Sequence, residues 1–85
     1  MEDKELARRA YALPDRFADR LDPNDLANIR EYANVGEWGE EIEELLASLR
    51  HDNRAITAAE HEEIQTLLDA MSESPKLLNQ LRVTG

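Results

Sequence analysis

The stretch Val35-Gly36-Glu37-Trp38-Gly39-Glu40-Glu41-Ile42-Glu43-Glu44-Leu45-Leu46-Ala47-Ser48-Leu49 constrains this chain more than any other. Its apolar residues fall at Val35, Trp38, Ile42, Leu45, Leu46 and Leu49, the spacing of one face of an α-helix. Between them stand Glu37, Glu40, Glu41, Glu43 and Glu44. One side of this helix is suited to a core. The other is suited to water or to a basic partner.

The flanking segments repeat the helical grammar. Leu6, Ala7, Ala10 and Leu13 line one side of a first helix from about Glu2 to Leu13. Pro14 ends that helix or opens a short next one, in which Phe17 and Leu21 face one way. Arg8, Arg9, Arg16 and Arg20 cluster here and are expected to pair with nearby acids such as Asp15 and Asp19. Asp22-Pro23 starts another helix, with Asp22 as the cap and Pro23 at the first helical position. Leu26, Ile29 and Ala33 form its stripe, Tyr32 lies at the edge, and Gly36 closes it. Trp38 shares a face with Ile42, Leu45 and Leu49 and reads as a core residue.

After a loop at His51–Arg54, Thr57-Ala58-Ala59-Glu60 has the capping-box pattern. Ile64, Leu67, Leu68 and Met71 follow as an apolar face. Ser74-Pro75 begins a last short helix that buries Leu77, Leu78 and Leu81, and residues 82–85 are expected to fray. No β-branched residues alternate over a useful length. The expected fold is all-α: one helical domain over residues 1–85, with four main helices and one or two short ones.

Charge is segregated along the chain. Residues 1–30 carry seven acids and six bases, whereas residues 31–73 carry twelve acids and only Arg50 and Arg54. The formal net charge is −9. Such a field repels nucleic acid and anionic lipid and attracts basic protein. No apolar run approaches the roughly 20 residues that span a bilayer. The Met1–Glu5 start lacks the pattern of a signal peptide, and with no cysteine the expected location is cytoplasmic.

Little points to catalysis. His61-Glu62-Glu63-Ile64 lacks the second histidine of a zinc-protease motif, and no third ligand is specified for a His51–His61 pair. There is no nucleophile elbow, phosphate loop or Cys–His pairing. No catalytic residue, metal or cofactor is expected, and the chain reads as a binding protein rather than an enzyme.

The turn Val35-Gly36-Glu37-Trp38-Gly39, the amphipathic helix after it and the Ile56-Thr57-Ala58-Ala59-Glu60 helix start resemble a family of bacterial immunity proteins. These are the Maf-type and related contact-dependent-inhibition immunity proteins, encoded beside polymorphic toxins. The resemblance covers about residues 26–71. It departs from the family pattern at Glu40 and Glu41, where apolar or small residues are usual after the second glycine.

The resemblance implies a stoichiometric inhibitor, monomeric when free, that forms a 1:1 complex with a cognate toxin domain, often a nuclease. Nucleases hold phosphates and so tend to carry basic clefts, which an acidic helical face complements. The expected contact residues are Glu37, Glu40, Glu41 and Glu44, with Glu31, Asp52, Glu62, Glu63 and Asp69 around them. No direct contact with nucleic acid or membrane is expected. The alternative is an acidic helical adaptor or regulatory module, homodimeric through its apolar stripes.

Overall fold

The computed structural model describes all residues, Met1–Gly85. Four helices carry the fold: α1 (Asp3–Ala12), α2 (Pro23–Asn34), α3 (Trp38–His51) and α4 (Ala58–Ala70). A 3₁₀ segment, Leu13–Phe17, continues α1, and another, Leu78–Gln80, follows α4. The fold is a small all-α bundle with one two-residue pairing of strands, β1 (Ile56–Thr57) and β2 (Val83–Thr84).

Local chemistry explains where the elements start and stop. Pro14 does not break the chain direction. It sits at the start of the 3₁₀ segment, where its missing N–H leaves no helical carbonyl unpaired, and it is buried with Leu13 and Phe17. Asp22 accepts from the Asn24 N–H at 2.8 Å and opens α2. Thr57 and Glu60 form a full capping box: the Glu60 N–H donates to Thr57 Oγ1 at 3.1 Å, and the Thr57 N–H donates to Glu60 Oε1 at 2.8 Å.

Three helices end in the same way. After α2, Gly36 has φ +76°, and the Gly36 and Glu37 N–H groups donate back to the Ala33 and Tyr32 carbonyls. Asn53 (φ 55°) does this after α3, with Asn53 and Arg54 bonding to Arg50 and Leu49. Ser72 (φ 56°) does it after α4, with Ser72 and Glu73 bonding to Asp69 and Leu68. This is the Schellman motif, built on one left-handed residue.

α2 and α3 are joined by the tight turn at Val35–Glu37 and pack most extensively against each other, while α4 lies against α1 and the C-terminal segment. Between them Phe17, Ile29, Ile42, Leu45, Leu49, Ile64 and Leu67 are sealed from solvent. Two residues of the apolar stripe depart from expectation. Trp38 is only half-buried, lying over the turn, with its Cζ2 3.8 Å from where a Cβ on Gly36 would stand. Val35 is 68% exposed, because it closes α2 before α3 begins and so belongs to neither buried face.

The C-terminus is not loose. Ile56 pairs with Val83 and Thr57 with Thr84 in parallel register, and the Ile56 N–H donates to the Arg82 carbonyl at 3.0 Å. The Arg82 guanidinium in turn donates to the Asn53 carbonyl at 2.9 Å. The stretch expected to fray is held by backbone bonding that apolar periodicity does not signal.

The two central glycines differ in kind. A Cβ on Gly39 meets only Glu73 Oε1 at 3.6 Å, an ordinary contact, and Gly39 is already helical. Gly39→Ala is therefore expected to stabilise the fold by about 0.5–1 kcal/mol. Gly36→Ala, forced into the left-handed region, is expected to cost about 1–2 kcal/mol. Urea unfolding of both variants beside the wild type tests the pair, and a destabilised Gly39→Ala would contradict this account.

Candidate functional site: the acidic seam between α2 and α3

α2 and α3 run antiparallel after their short turn, and the seam between them gathers acid. Its upper part is a notch of about 470 Å³, lined by Asn28, Glu31, Tyr32 and Val35 of the α2 side and Glu44 of α3. Its lower part is a broader groove bordered by Asp22, Asp25, Glu44, Ser48, His51 and Asp52. Glu44 borders both, so the two parts are continuous. The notch is not purely polar: Tyr32 is 38% exposed and Val35 more so.

The expected contact residues therefore divide. Glu31, Glu44 and Asp52 come together along the seam. Glu37 and Glu40 are exposed on the turn and first turn of α3, at the notch end of that helix. Glu62 and Asp69 are exposed on α4, a separate element that packs elsewhere, and Asp69 accepts from Gln65 at 2.9 Å. Glu63 is not a free acid. It accepts from Arg9 Nε at 2.9 Å and from a second Arg9 N–H, and these bonds hold its carboxylate below its usual range.

Glu41 is a correction. It is not on the acidic face: its side chain is fully buried, and neither carboxyl oxygen has a hydrogen-bond partner. The reason lies in helical phase. Glu41 precedes Leu45 by one turn and Ser48 by two, on the edge of the stripe that faces α2. Close packing of α2 widens the buried sector until it takes in this edge, and Ser48 is buried with it. Burial alone pushes the Glu41 carboxyl up to about 8, and no neighbouring charge offsets it. At neutral pH it is held as the neutral acid.

Sequence reasoning also missed part of the seam. Asp22 was legible as a cap, which it is, but its place beside Asp25 and Asp52 depends on how α2 folds back on α3. The exposure of Tyr32 follows from Ala33 taking the buried position next to it.

Four of the six bases in residues 1–30 are paired within the fold. Arg20 grips Glu60 with two N–H groups at 2.6 and 2.8 Å, donates to the Arg16 and Ala55 carbonyls, and stacks 4.8 Å over Phe17. Its bonds hold the Glu60 carboxylate down at about 2. Arg9 takes Glu63, and Arg30 takes Asp15. Some pairs are local, as expected, such as Arg20 with Asp19 at 3.2 Å, but the strongest reach to α4. Of the seam acids, Asp52 has His51 beside it at 3.2 Å, while Asp22, Asp25, Glu31 and Glu44 make no ion pair within the fold.

No group of three or more His, Cys, Asp or Glu side chains is arranged to hold a metal ion. His51 Nδ1 lies 3.2 Å from Asp52, and His61 Nε2 lies 3.4 Å from Asn79. No helix is long and apolar enough to cross a membrane. The chain matches no protein-family model, no curated protein and no solved structure.

Three carboxyls are displaced, Glu41 upward and Glu60 and Glu63 downward, and they give stability an unusual pH profile. Glu41 is raised when folded, so its contribution is complete below about 4.5 and is lost as pH rises toward 8. Glu60 is lowered, so its contribution is present above about 4.5 and is lost as pH falls toward 2. Stability is expected to peak near pH 4–5 and to fall by about 1 kcal/mol per pH unit on the alkaline side. Glu41→Gln should flatten that alkaline limb. Chemical denaturation from pH 3 to 9 reads both effects, and a wild-type optimum at pH 7–8 would refute the assignment of Glu41.

Proposed function

We propose that this chain is an immunity-type protein: a stoichiometric inhibitor that binds a basic toxin domain, most simply a nuclease, and has no catalysis of its own. The carrying observation is the α2–α3 seam. It sets Glu31, Glu44, Asp22, Asp25 and Asp52 along one continuous surface around an exposed tyrosine. Exposed aromatic residues concentrate binding energy when a partner covers them, and unpaired carboxylates at the rim speed encounter with a basic surface. The compartment in this reading is the cytoplasm, and the complex is 1:1.

The structure-guided face is narrower than the one the sequence outlined. Glu31, Glu37, Glu40, Glu44 and Asp52 remain as contact residues, joined by Asp22, Asp25, Tyr32 and Val35. Glu41 and Glu63 leave it, the first sealed and the second paired. Glu62 and Asp69 become the control surface.

The test is capture of a basic partner from the source bacterium by the tagged chain, followed by association kinetics. Glu31→Lys with Glu44→Lys is expected to slow association at least tenfold at low salt and to weaken its salt dependence. Glu62→Lys with Asp69→Lys is expected to change it less than threefold. Equal effects of the two pairs would show that only net charge matters and would remove the seam as the interface. A stable self-dimer in sedimentation, with no partner captured, would favour the adaptor reading.

A further inference from the structure

A second concavity lies off the acidic seam, between the first half of α3, the end of α4 and the segment that follows α4. It holds about 220 Å³, and none of its lining residues borders the seam. Leu46, Leu68 and Leu77 give it an apolar floor, one residue from each segment. Leu46 and Leu68 are buried members of the core, with Leu77 packed against it, so this floor is preformed. The bend beside it is fixed by its own bonds. Ser72 takes φ 56°, the Glu73 N–H donates to the Leu68 carbonyl at 2.9 Å, and the Lys76 N–H donates to Ser74 Oγ at 3.2 Å.

Gly39 lines this pocket, and the fold does not require a glycine there. The residue is helical, and a Cβ on it would meet only Glu73 Oε1, at 3.6 Å. Alanine would be the better helix former. What glycine supplies is room at the pocket wall and a bare backbone that a ligand can approach closely. The Gly39 N–H stands in the first turn of α3 and has no acceptor in the fold, and Glu37 before it makes no side-chain cap. The rim carries charge of both signs. Glu43, Glu73 and Lys76 all border the pocket, and none of the three makes an ion pair.

We infer that this pocket binds a free apolar α-amino acid of about leucine size in its zwitterionic form. Each part of such a ligand has a counterpart. The apolar side chain lies on the three leucines of the floor. The carboxylate is met by the Lys76 ammonium and the free Gly39 N–H, and the α-ammonium by Glu43 and Glu73. The volume is below the about 300–1,000 Å³ usual for drug-sized ligands, so it takes one amino acid and not a peptide. A peptide's first residue lacks the carboxylate and its last lacks the ammonium, so neither uses both signs of the rim. The inference rests on residues outside the α2–α3 seam and holds independently of the inhibitor reading.

The probe is L-leucine, titrated into the ¹⁵N-labelled full chain at neutral pH. Saturable amide shifts are expected at Gly39, Glu43, Leu68, Glu73, Lys76 and Leu77, with Asn28 and Tyr32 of the seam unmoved. Leucinamide, which lacks the carboxylate, and N-acetylleucine, which lacks the ammonium, are each expected to bind about tenfold more weakly. Glycine, with no side chain for the floor, is expected to lose about tenfold as well. Lys76→Met and Glu43→Gln, both at exposed positions, should each weaken leucine by about tenfold. Gly39→Ala separates the pocket from the fold: it is expected to raise the unfolding midpoint and yet to weaken leucine by about tenfold, because its methyl group narrows the site. Absence of saturable leucine binding would overturn the inference. So would leucinamide or N-acetylleucine binding as tightly as leucine, or a Gly39→Ala variant that binds leucine like the wild type.

Discussion

The grip of Arg20 on Glu60 holds this small bundle in register. Glu60 serves two elements at once, closing the capping box of α4 and receiving both N–H groups of a guanidinium placed 40 residues earlier. Arg20 also bonds the Ala55 carbonyl just before β1 and the Arg16 carbonyl behind it, with its plane over Phe17. The segment after α1, the entry to α4 and the core aromatic are thereby fixed by one side chain. Breaking such a pair by removing one member leaves a charge partly buried and unpaired, at a cost of about 3–5 kcal/mol. That is a large fraction of the stability a chain of this size can have.

This internal use of bases shapes the outer surface. Arg9, Arg20 and Arg30 are tied to Glu63, Glu60 and Asp15, so the acids they leave behind dominate the α2–α3 side. The net charge of −9 is thus not a uniform coat. Part of it gathers where α2 folds back on α3, and there Tyr32 and Val35 interrupt it with apolar area. An interface of the usual size, about 800 Å² per partner, would take in the whole seam.

Much of the architecture was readable in order along the chain because its signals are local. Asp22-Pro23, Thr57-x-x-Glu60 and Gly36 mark helix ends through bonds to neighbours within a few residues, and each does so in the structure. What escaped depends on partners far apart. Arg9 with Glu63 and Arg20 with Glu60 are separated by 54 and 40 residues, and the β1–β2 pairing joins Ile56 to Val83. Glu41 escaped for a different reason. Helical periodicity places it at the margin of the apolar stripe, and only the closeness of α2 decides which side of the margin is dry. Among the candidate contacts, Glu31 and Glu44 were found as separate acids, but their meeting across the notch is a property of the turn at Val35–Glu37.

The parallel pairing at the C-terminus has a topological consequence. Ile56 and Thr84, 28 residues apart and joined by a hydrogen bond, make the last third of the chain a closed lasso around α4. The entropy of closing such a loop grows only slowly with its length, each doubling adding about 0.6 kcal/mol. The exposed bend at Ser72–Ser74 lies on the lasso between α4 and the second 3₁₀ segment, where the Ser72 and Glu73 N–H groups cap α4 and Glu73 lies beside Gly39 at the start of α3. Because closure entropy rises so slowly, extra residues placed beyond that cap, by a spliced label or an evolutionary insertion, add little to the cost of closing the lasso.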